Sequence, residues 1–192
     1  MCYQNLISAA LLFATITLSS VTHSDDNIDA ADKHSACPKL LNHDYRKLHS
    51  NTSVNLCELY KGKAILLVNT ASHCGYTKQF SGLEELHQRF QDQGLVVIGF
   101  TSDDFKQAAK DEEEAAGICY KNYGVSFTML APTAVRGEDA NPTFKELARL
   151  SKKPSWNFNK YLVSADGSKV QRFGSNTKPM SNKLIEAIEQ EL

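Results

Sequence analysis

Continuous apolar runs and amphipathic stretches alternate through the middle of the chain. The runs 64–70 and 95–100 lack the polar alternation of a half-exposed strand, so they predict strands that are buried on both faces. Between them, apolar residues recur three or four positions apart, which is typical of one face of a helix that ends near Gly94. This stripe consists of Tyr76, Phe80, Leu83, Leu86 and Phe90. Strand, helix and strand in this order predict a right-handed crossover and a parallel pair.

The next part of the chain predicts a helix, a short strand and a further helix. Acidic residues at 111–114 complement the positive end of a helix dipole, so they predict the start of a helix that carries Cys119. Residues 127–130 predict a short strand. Asn141 followed by Pro142 predicts the cap and the first turn of the next helix.

A hairpin and a closing helix complete the predicted fold. An Asp-Gly pair at 166–167 lies between the stretches 158–163 and 169–173, which is typical of a hairpin turn. Residues 180–192 predict a final helix with a buried stripe of Leu184, Ile188 and Leu192. This order of elements is that of the thioredoxin fold with an inserted segment. We therefore expect an α/β domain, with a central mixed sheet flanked by helices and an N-terminal extension.

The N-terminal segment differs in composition from the rest of the chain. Residues 6–21 form an apolar run diluted by Ser and Thr, shorter than the roughly 20 apolar residues of a bilayer span. We interpret 1–24 as a signal peptide and expect export to the periplasm or the medium, without stable membrane insertion. No Lys or Arg precedes the run, so an uncleaved membrane tether remains the alternative. Residues 25–38 predict a flexible lead-in and 39–192 a single domain.

Composition excludes several classes of protein. The 192 residues contain 21 Lys and Arg against 22 Asp and Glu, and this net charge of −1 does not favour binding to nucleic acid. No two of the five cysteines form a Cys-x-x-Cys pair, so we expect neither a zinc site nor a dithiol redox motif. Because export favours disulfides, we predict a structural bond between Cys37 and Cys57, 20 residues apart.

Cys74 is the candidate nucleophile. It follows the first buried strand and precedes a helix, where unpaired N–H groups and the helix dipole stabilise a thiolate. Thr77 stands where a dithiol motif would have its second cysteine, so a lone Cys74 thiolate would form a sulfenic acid with a hydroperoxide. Recycling then needs an external thiol or a second cysteine, for which Cys119 is the candidate. For both residues, an inert cysteine in the core is the alternative.

Trp156 and Asn157 are candidate donors to such a site. Trp156 is the only tryptophan, and its indole N–H, like the carboxamide of Asn157, is a neutral donor for a sulfur anion or a developing oxyanion. A tryptophan at the start of a predicted strand is also typical of core packing, and that interpretation stays open.

Three segments resemble the glutathione peroxidase family, over a stretch from about residue 40 to the end. They are GKAILLVNTASHCGYT at 62–77, CYKNYGVSF at 119–127 and WNFNKYLV at 156–163. The resemblance implies that Cys74 is the peroxidatic residue and that Trp156 and Asn157 belong to the catalytic tetrad. It also makes Cys119 similar to the resolving cysteine of the members that thioredoxin reduces.

The resemblance implies a cofactor-free thiol peroxidase that acts on hydrogen peroxide and organic or lipid hydroperoxides in response to oxidative stress. A thioredoxin-like protein or glutathione would be its reductant. The short segment between Gly137 and Trp156 is similar to that of the monomeric branch, so we expect a monomer. Two alternatives remain: a one-cysteine enzyme recycled by glutathione, with Cys119 merely structural, and a non-catalytic redox sensor or binding module.

The chain departs from the family pattern after the second strand. Asp104 stands where the glutamine of the tetrad belongs, and a carboxylate beside Cys74 would repel the thiolate and raise its pKa. Gln107 is a candidate substitute for that glutamine. Thr128 replaces a usual proline, and we expect His73 to face solvent.

Overall fold

The structure is a computed structural model that describes residues 37–192. Strands and helices alternate in it. The strands are β1 Asp44–Arg46, β2 Ser53–Asn55, β3 Ala64–Thr70, β4 Leu95–Thr101, β5 Thr128–Leu130, β6 Lys160–Val163 and β7 Val170–Phe173. The α-helices are α1 Leu56–Tyr60, α2 Gln79–Phe90, α3 Glu112–Ala116, α4 Pro142–Leu150 and α5 Asn182–Glu189. The predicted signal peptide 1–24 and all but the end of the lead-in 25–38 lie outside the described residues.

The central sheet has the strand order β5-β4-β3-β6-β7. β3 is parallel to β4 and antiparallel to β6, which confirms the predicted mixed sheet and the predicted parallel pair. All seven residues of β3 are buried, because helices cover both of its faces. At Gly99 of β4, the Met129 side chain of the neighbouring β5 occupies the space that a Cβ would need, so a glycine is required there.

Each face of the sheet supports its own apolar core. Leu66 and Val68 pack with residues of α2 and α5, whereas Ile65 and Leu67 pack with residues of α4. This division follows from the two-residue period of a strand. The first of these cores also contains Cys74 and Cys119.

The helices largely begin and end where the sequence indicates. In α2 the predicted apolar stripe is buried from Phe80 onwards, and Gly94 has the left-handed φ of 104° that ends this segment. The Asn141 side chain accepts a hydrogen bond from the N–H of Phe144 at 3.0 Å, as a helix cap does. The predicted extent of the closing helix is wrong. α5 ends at Glu189, a tight turn follows, and Leu192 is 44% exposed instead of buried.

The segment before β3 contains a small hairpin that the sequence analysis did not predict. β1 and β2 pair antiparallel, and α1 follows directly. Cys37 and Cys57 form a disulfide with their α-carbons 5.6 Å apart, which confirms the predicted pairing. No helix in the range 37–192 combines the length and the apolar character needed to cross a membrane.

Candidate active site

Cys74 lies in the turn between β3 and α2, at the carboxyl edge of the parallel strands. Its Sγ accepts a hydrogen bond from the backbone N–H of Tyr76 at 3.4 Å. Its own N–H donates to Thr77 Oγ1 at 3.0 Å, and that hydroxyl donates to the carbonyl of Ala71 at 3.1 Å. Thr77 therefore holds the turn in the shape that directs a backbone donor to the sulfur. Such a donor stabilises a thiolate over a thiol.

Cys74 is 8% exposed and borders an open cavity of about 540 Å³. The other walls come from the turn itself, the start of α2 and the segment after α3. The lining consists of Ser72, Cys74, Gly75, Thr77, Lys78, Ile118, Asn122 and Tyr123. A small molecule that enters this cavity would meet the sulfur at one end and the segment that carries Cys119 at the other.

Cys119 lies in a π-helical turn, Gly117–Asn122, that continues directly from α3. The sequence predicted a helix here, and the π geometry is a local departure from it. The side chain is 1% exposed, and Sγ lies 3.7 Å from the carbonyl oxygen of Ala116. Burial raises the pKa of the thiol to about 11. In this conformation Cys119 is protonated at neutral pH and sequestered, while Ile118 and Asn122 of the same turn line the Cys74 cavity.

Trp156 and Asn157 lie in the loop before β6, not at the start of the strand as the sequence indicated. Trp156 is 40% exposed and its ring lies 5.1 Å from that of Phe105, so the core-packing interpretation is wrong. Asn157 is fully buried and its Nδ2 donates to Gln107 Oε1 at 3.0 Å. Asn157 Oδ1 has no hydrogen-bond partner among the described residues.

The path of the loop before β6 depends on an unusual backbone conformation at Phe158. This residue has a φ of 60°, which is rare for a bulky side chain and costs free energy. Its N–H donates to the carbonyl of Asn69 at 2.6 Å, and its ring packs edge-on against Phe80 of α2. These contacts hold the strained residue in place. Such conformations cluster at functional sites, and this one presents the two preceding residues, Trp156 and Asn157.

Gln107 connects the two halves of the site. Its carbonyl accepts a hydrogen bond from the N–H of His73 at 2.9 Å, next to Cys74, while its side chain accepts from Asn157. The sequence offered Gln107 only as a candidate substitute for the missing glutamine. No spacing rule in the sequence predicts that the backbone of Gln107 binds the Cys74 loop while its side chain binds the Asn157 loop.

Asp104 has different contacts from those expected. Its Oδ2 accepts hydrogen bonds from the N–H groups of Val135 and Arg136 at 2.6 and 3.2 Å, and from Ser102 Oγ at 3.0 Å. Asp104 is not one of the described residues that line the cavity around Cys74. The carboxylate ties the loop after β4 to the segment after β5, and this connection accounts for its charge and position.

His73 is partly exposed, as expected, but it also has a partner. Its Nε2 lies 3.3 Å from Glu114 Oε1. Glu114 belongs to α3, the helix that runs into the turn with Cys119. The pair therefore links the loop of one free cysteine to the helix of the other.

Comparison with known proteins places these residues in a family context. The family model described as glutathione peroxidase matches residues 42–148. A glutathione peroxidase of Lactococcus lactis subsp. cremoris is 43% identical over 126 residues, which cover 62% of this chain and 80% of the relative. A glutathione peroxidase-like peroxiredoxin of Schizosaccharomyces pombe is 42% identical over 125 residues, covering 62% of this chain and 79% of the relative.

Solved structures with the same fold include members of more than one family. The crystal structure of Trgpx in apo form superposes with a TM-score of 0.60 at 31% identity, and the match covers 81% of this chain and 99% of that one. A secreted disulfide oxidoreductase of Mycobacterium tuberculosis superposes with a TM-score of 0.57 at 17% identity, covering 81% of this chain and 100% of that one. The second likeness shows the thioredoxin-like fold alone.

Proposed function

Because the chain belongs to the glutathione peroxidase family, we propose that it is a thiol peroxidase that reduces hydrogen peroxide and organic or lipid hydroperoxides through Cys74. The observation that carries this proposal is the hydrogen bond from the N–H of Tyr76 to Cys74 Sγ at the wall of an open cavity. The names of the relatives, glutathione peroxidase and peroxiredoxin, support the same chemistry. A role in the response to oxidative stress follows from it.

In the first step, the Cys74 thiolate attacks the distal oxygen of the hydroperoxide. A sulfur–oxygen bond forms, the oxygen–oxygen bond breaks, and Cys74 becomes a sulfenic acid. The departing alkoxide or hydroxide takes up a proton and leaves as an alcohol or water. Trp156 and Asn157 stabilise its charge as neutral donors, and Gln107 fixes the carboxamide of Asn157 by a hydrogen bond of 3.0 Å.

In the second step, Cys119 resolves the sulfenic acid. Its sulfur bonds to the sulfur of Cys74, and the hydroxyl group leaves as water with the proton of the Cys119 thiol. A disulfide needs the α-carbons of the two cysteines within about 7 Å and the two sulfurs in contact, so the buried Cys119 thiol has to become accessible to Cys74. Its π-helical turn supports this step, since π geometry is a rare form concentrated at functional sites. A thioredoxin-like dithiol protein then reduces the disulfide by two electrons.

The burial of Cys119 favours a second candidate, in which two molecules of glutathione recycle Cys74 and Cys119 is structural. A thiol that is 1% exposed reacts slowly unless the turn opens. The two cycles differ in one property: only the first needs the Cys119 thiol for turnover.

We also propose that the protein is exported and acts as a monomer. The disulfide between Cys37 and Cys57 supports export, because structural disulfides persist in oxidising compartments. The mass of the protein purified from the periplasm or the medium tests removal of residues 1–24, and its sedimentation tests the monomer. A cytosolic protein with both thiols free would contradict the export.

Rapid mixing of the reduced protein with one equivalent of hydroperoxide tests the function. We expect the wild type and Cys119→Ala to consume the peroxide, and Cys74→Ser to consume none. With thioredoxin and its reductase present, only the wild type should turn over repeatedly. Consumption by Cys74→Ser would overturn the role of Cys74, and sustained turnover of Cys119→Ala with thioredoxin would overturn the resolving role.

A further inference from the structure

Lys160 is a buried lysine on the face of the sheet that carries Cys74. Among residues 37–192 it is the only Lys, Arg, Asp or Glu that is buried, with an exposed fraction of 0%. It begins β6, where it pairs with Val68 of β3. Leu162, two residues further on, packs in the core that contains Cys74, so strand alternation places Lys160 on the same face. The chemistry proposed above does not use this lysine.

The amine of Lys160 has neutral partners. Nζ donates to Gln79 Oε1 and, at 2.8 Å, to the carbonyl oxygen of Thr177. Within the described range, no carboxylate lies within 4.0 Å of it. Burial without a counter-charge lowers the pKa of the amine to about 7. Burying a charged amine in such a place costs free energy, so the segments that its hydrogen bonds connect are important.

The partners of Lys160 connect it to the candidate active site. Gln79 is the first residue of α2, the helix that follows the Cys74 turn. Its Nε2 donates to the carbonyl of Ser175 at 2.6 Å, and Ser175 Oγ donates to the carbonyl of Asn157, also at 2.6 Å. A continuous series of hydrogen bonds therefore runs from the buried amine through Gln79 and Ser175 to Asn157.

Residues 174–179, which we call the β7–α5 loop, form one wall of two depressions beside the site. The first has a volume of about 540 Å³ and is lined by Asn176 and Lys178 of the loop together with Gly75 and Tyr76, and the Tyr76 hydroxyl donates a hydrogen bond to Asn176 Oδ1. The second, of about 270 Å³, lies between this loop and Trp156. Cys74 itself lines neither depression, but both border residues that follow it in the turn, so the position of the loop sets the space beside the Cys74 turn.

We propose that Lys160 is a positioning residue for hydroperoxide reduction: it fixes the β7–α5 loop to the first turn of α2 and so shapes the space in which a bulky hydroperoxide approaches Cys74. The proposal rests on the peroxidase function proposed above. Hydrogen peroxide is too small to fill either depression, so its reaction with Cys74 depends less on this wall.

The test is the single-turnover rate of the reduced Lys160→Met protein with two oxidants, hydrogen peroxide and cumene hydroperoxide. Met keeps the length and the apolar stem but donates no hydrogen bond to Gln79 or Thr177. We expect the rate with cumene hydroperoxide to fall tenfold or more and the rate with hydrogen peroxide to fall threefold or less. Gln79→Leu leaves the lysine but removes both its acceptor and the donor to the Ser175 carbonyl, so it should change the ratio of the two rates in the same direction. If Lys160→Met does not fold, Gln79→Leu tests the connection between α2 and the β7–α5 loop in its place.

Leu162→Val is the matched control, because it disturbs the same strand and core but removes neither hydrogen bond to Gln79 or Thr177. It should lower thermal stability and leave both rates within twofold of the wild type. If the folded Lys160 and Gln79 variants keep the wild-type ratio of rates, the positioning role is wrong and the lysine is structural. A wild type that reacts with neither oxidant overturns the peroxidase function, and the positioning role falls with it.

Discussion

Asn157 and Gln107 face each other across the candidate active site, with Asn157 Nδ2 donating to Gln107 Oε1 at 3.0 Å. The two residues are 50 positions apart, on the loops that precede β6 and follow β4. Because the carbonyl of Gln107 also accepts from the N–H of His73, this one residue joins the Asn157 loop to the Cys74 loop. Asp104, three residues earlier, makes no such connection, because its carboxylate binds the N–H groups of Val135 and Arg136.

Gln107→Ala should slow the reaction of Cys74 with hydroperoxide about fivefold. The variant keeps the backbone bond to His73 but leaves the carboxamide of Asn157 free to turn, and a lost positioning hydrogen bond of about 1 kcal/mol corresponds to a change of this order. The measurement is the single-turnover rate under conditions in which the variant is folded. Lys110→Ala, an exposed change in the same segment, serves as control, and equal rates for the two variants would refute the role of Gln107.

Asp104→Ala should destabilise the protein by about 1–3 kcal/mol, because the N–H groups of Val135 and Arg136 lose their acceptor. Urea unfolding measures this loss, with the exposed Asp139→Ala as control. If instead Asp104 repels the Cys74 thiolate, Asp104→Gln would accelerate the reaction with peroxide. We expect no acceleration, and a faster Asp104→Gln enzyme would restore the repulsive interpretation.

The parts of the fold with long, regular patterns could be predicted from the sequence. A continuous apolar run such as 64–70 predicts a buried strand. Asn141 before a proline predicts a helix cap, and the structure has both. The β1–β2 hairpin escaped prediction because strands of three residues show too little alternation. Leu192 continues the apolar spacing of the closing helix, but this spacing does not show at which residue the helix ends.

The candidate site likewise has a part that the sequence predicts and a part that it does not. Its nucleophile follows from local position, since Cys74 comes after a buried strand and before a helix. The bond between Gln107 and Asn157 does not, because two loops distant in sequence meet only through the sheet. The π geometry around Cys119 was also beyond prediction, since helical spacing in the sequence does not distinguish an α-turn from a π-turn.

Glu114→Gln should accelerate formation of the Cys74–Cys119 disulfide by two- to fivefold. When His73 is protonated, its pair with Glu114 holds α3 against the Cys74 loop, and a partly exposed ion pair contributes about 0.2–1 kcal/mol. The measurement is the rate of loss of free thiols after one equivalent of peroxide. Glu113→Gln is the control on the same helix. The acceleration should vanish in 1 M salt, and an acceleration that persists there would contradict an ionic origin.

The stability of the reduced protein should depend on pH through Cys119. Its pKa is raised by burial from 9.0 to about 11, so the folded state binds a proton that the unfolded chain releases first. This contribution is complete below pH 9 and is lost as the pH rises towards 11. Urea unfolding should therefore show the wild type losing stability over this range relative to Cys119→Ala, and a constant difference between the two would contradict a buried thiol.

The central claim is that peroxide converts Cys74 and Cys119 into a disulfide, and peptide mapping tests it most directly. The protein, with its disulfide between Cys37 and Cys57 intact and Cys74 and Cys119 reduced, is treated with one equivalent of hydroperoxide, digested without reductant and analysed by mass spectrometry. We expect a peptide pair linked through Cys74 and Cys119 beside the pair linked through Cys37 and Cys57. A sulfenic Cys74 with an untouched Cys119 would contradict the resolving step, and an unreacted Cys74 would contradict the peroxidase itself.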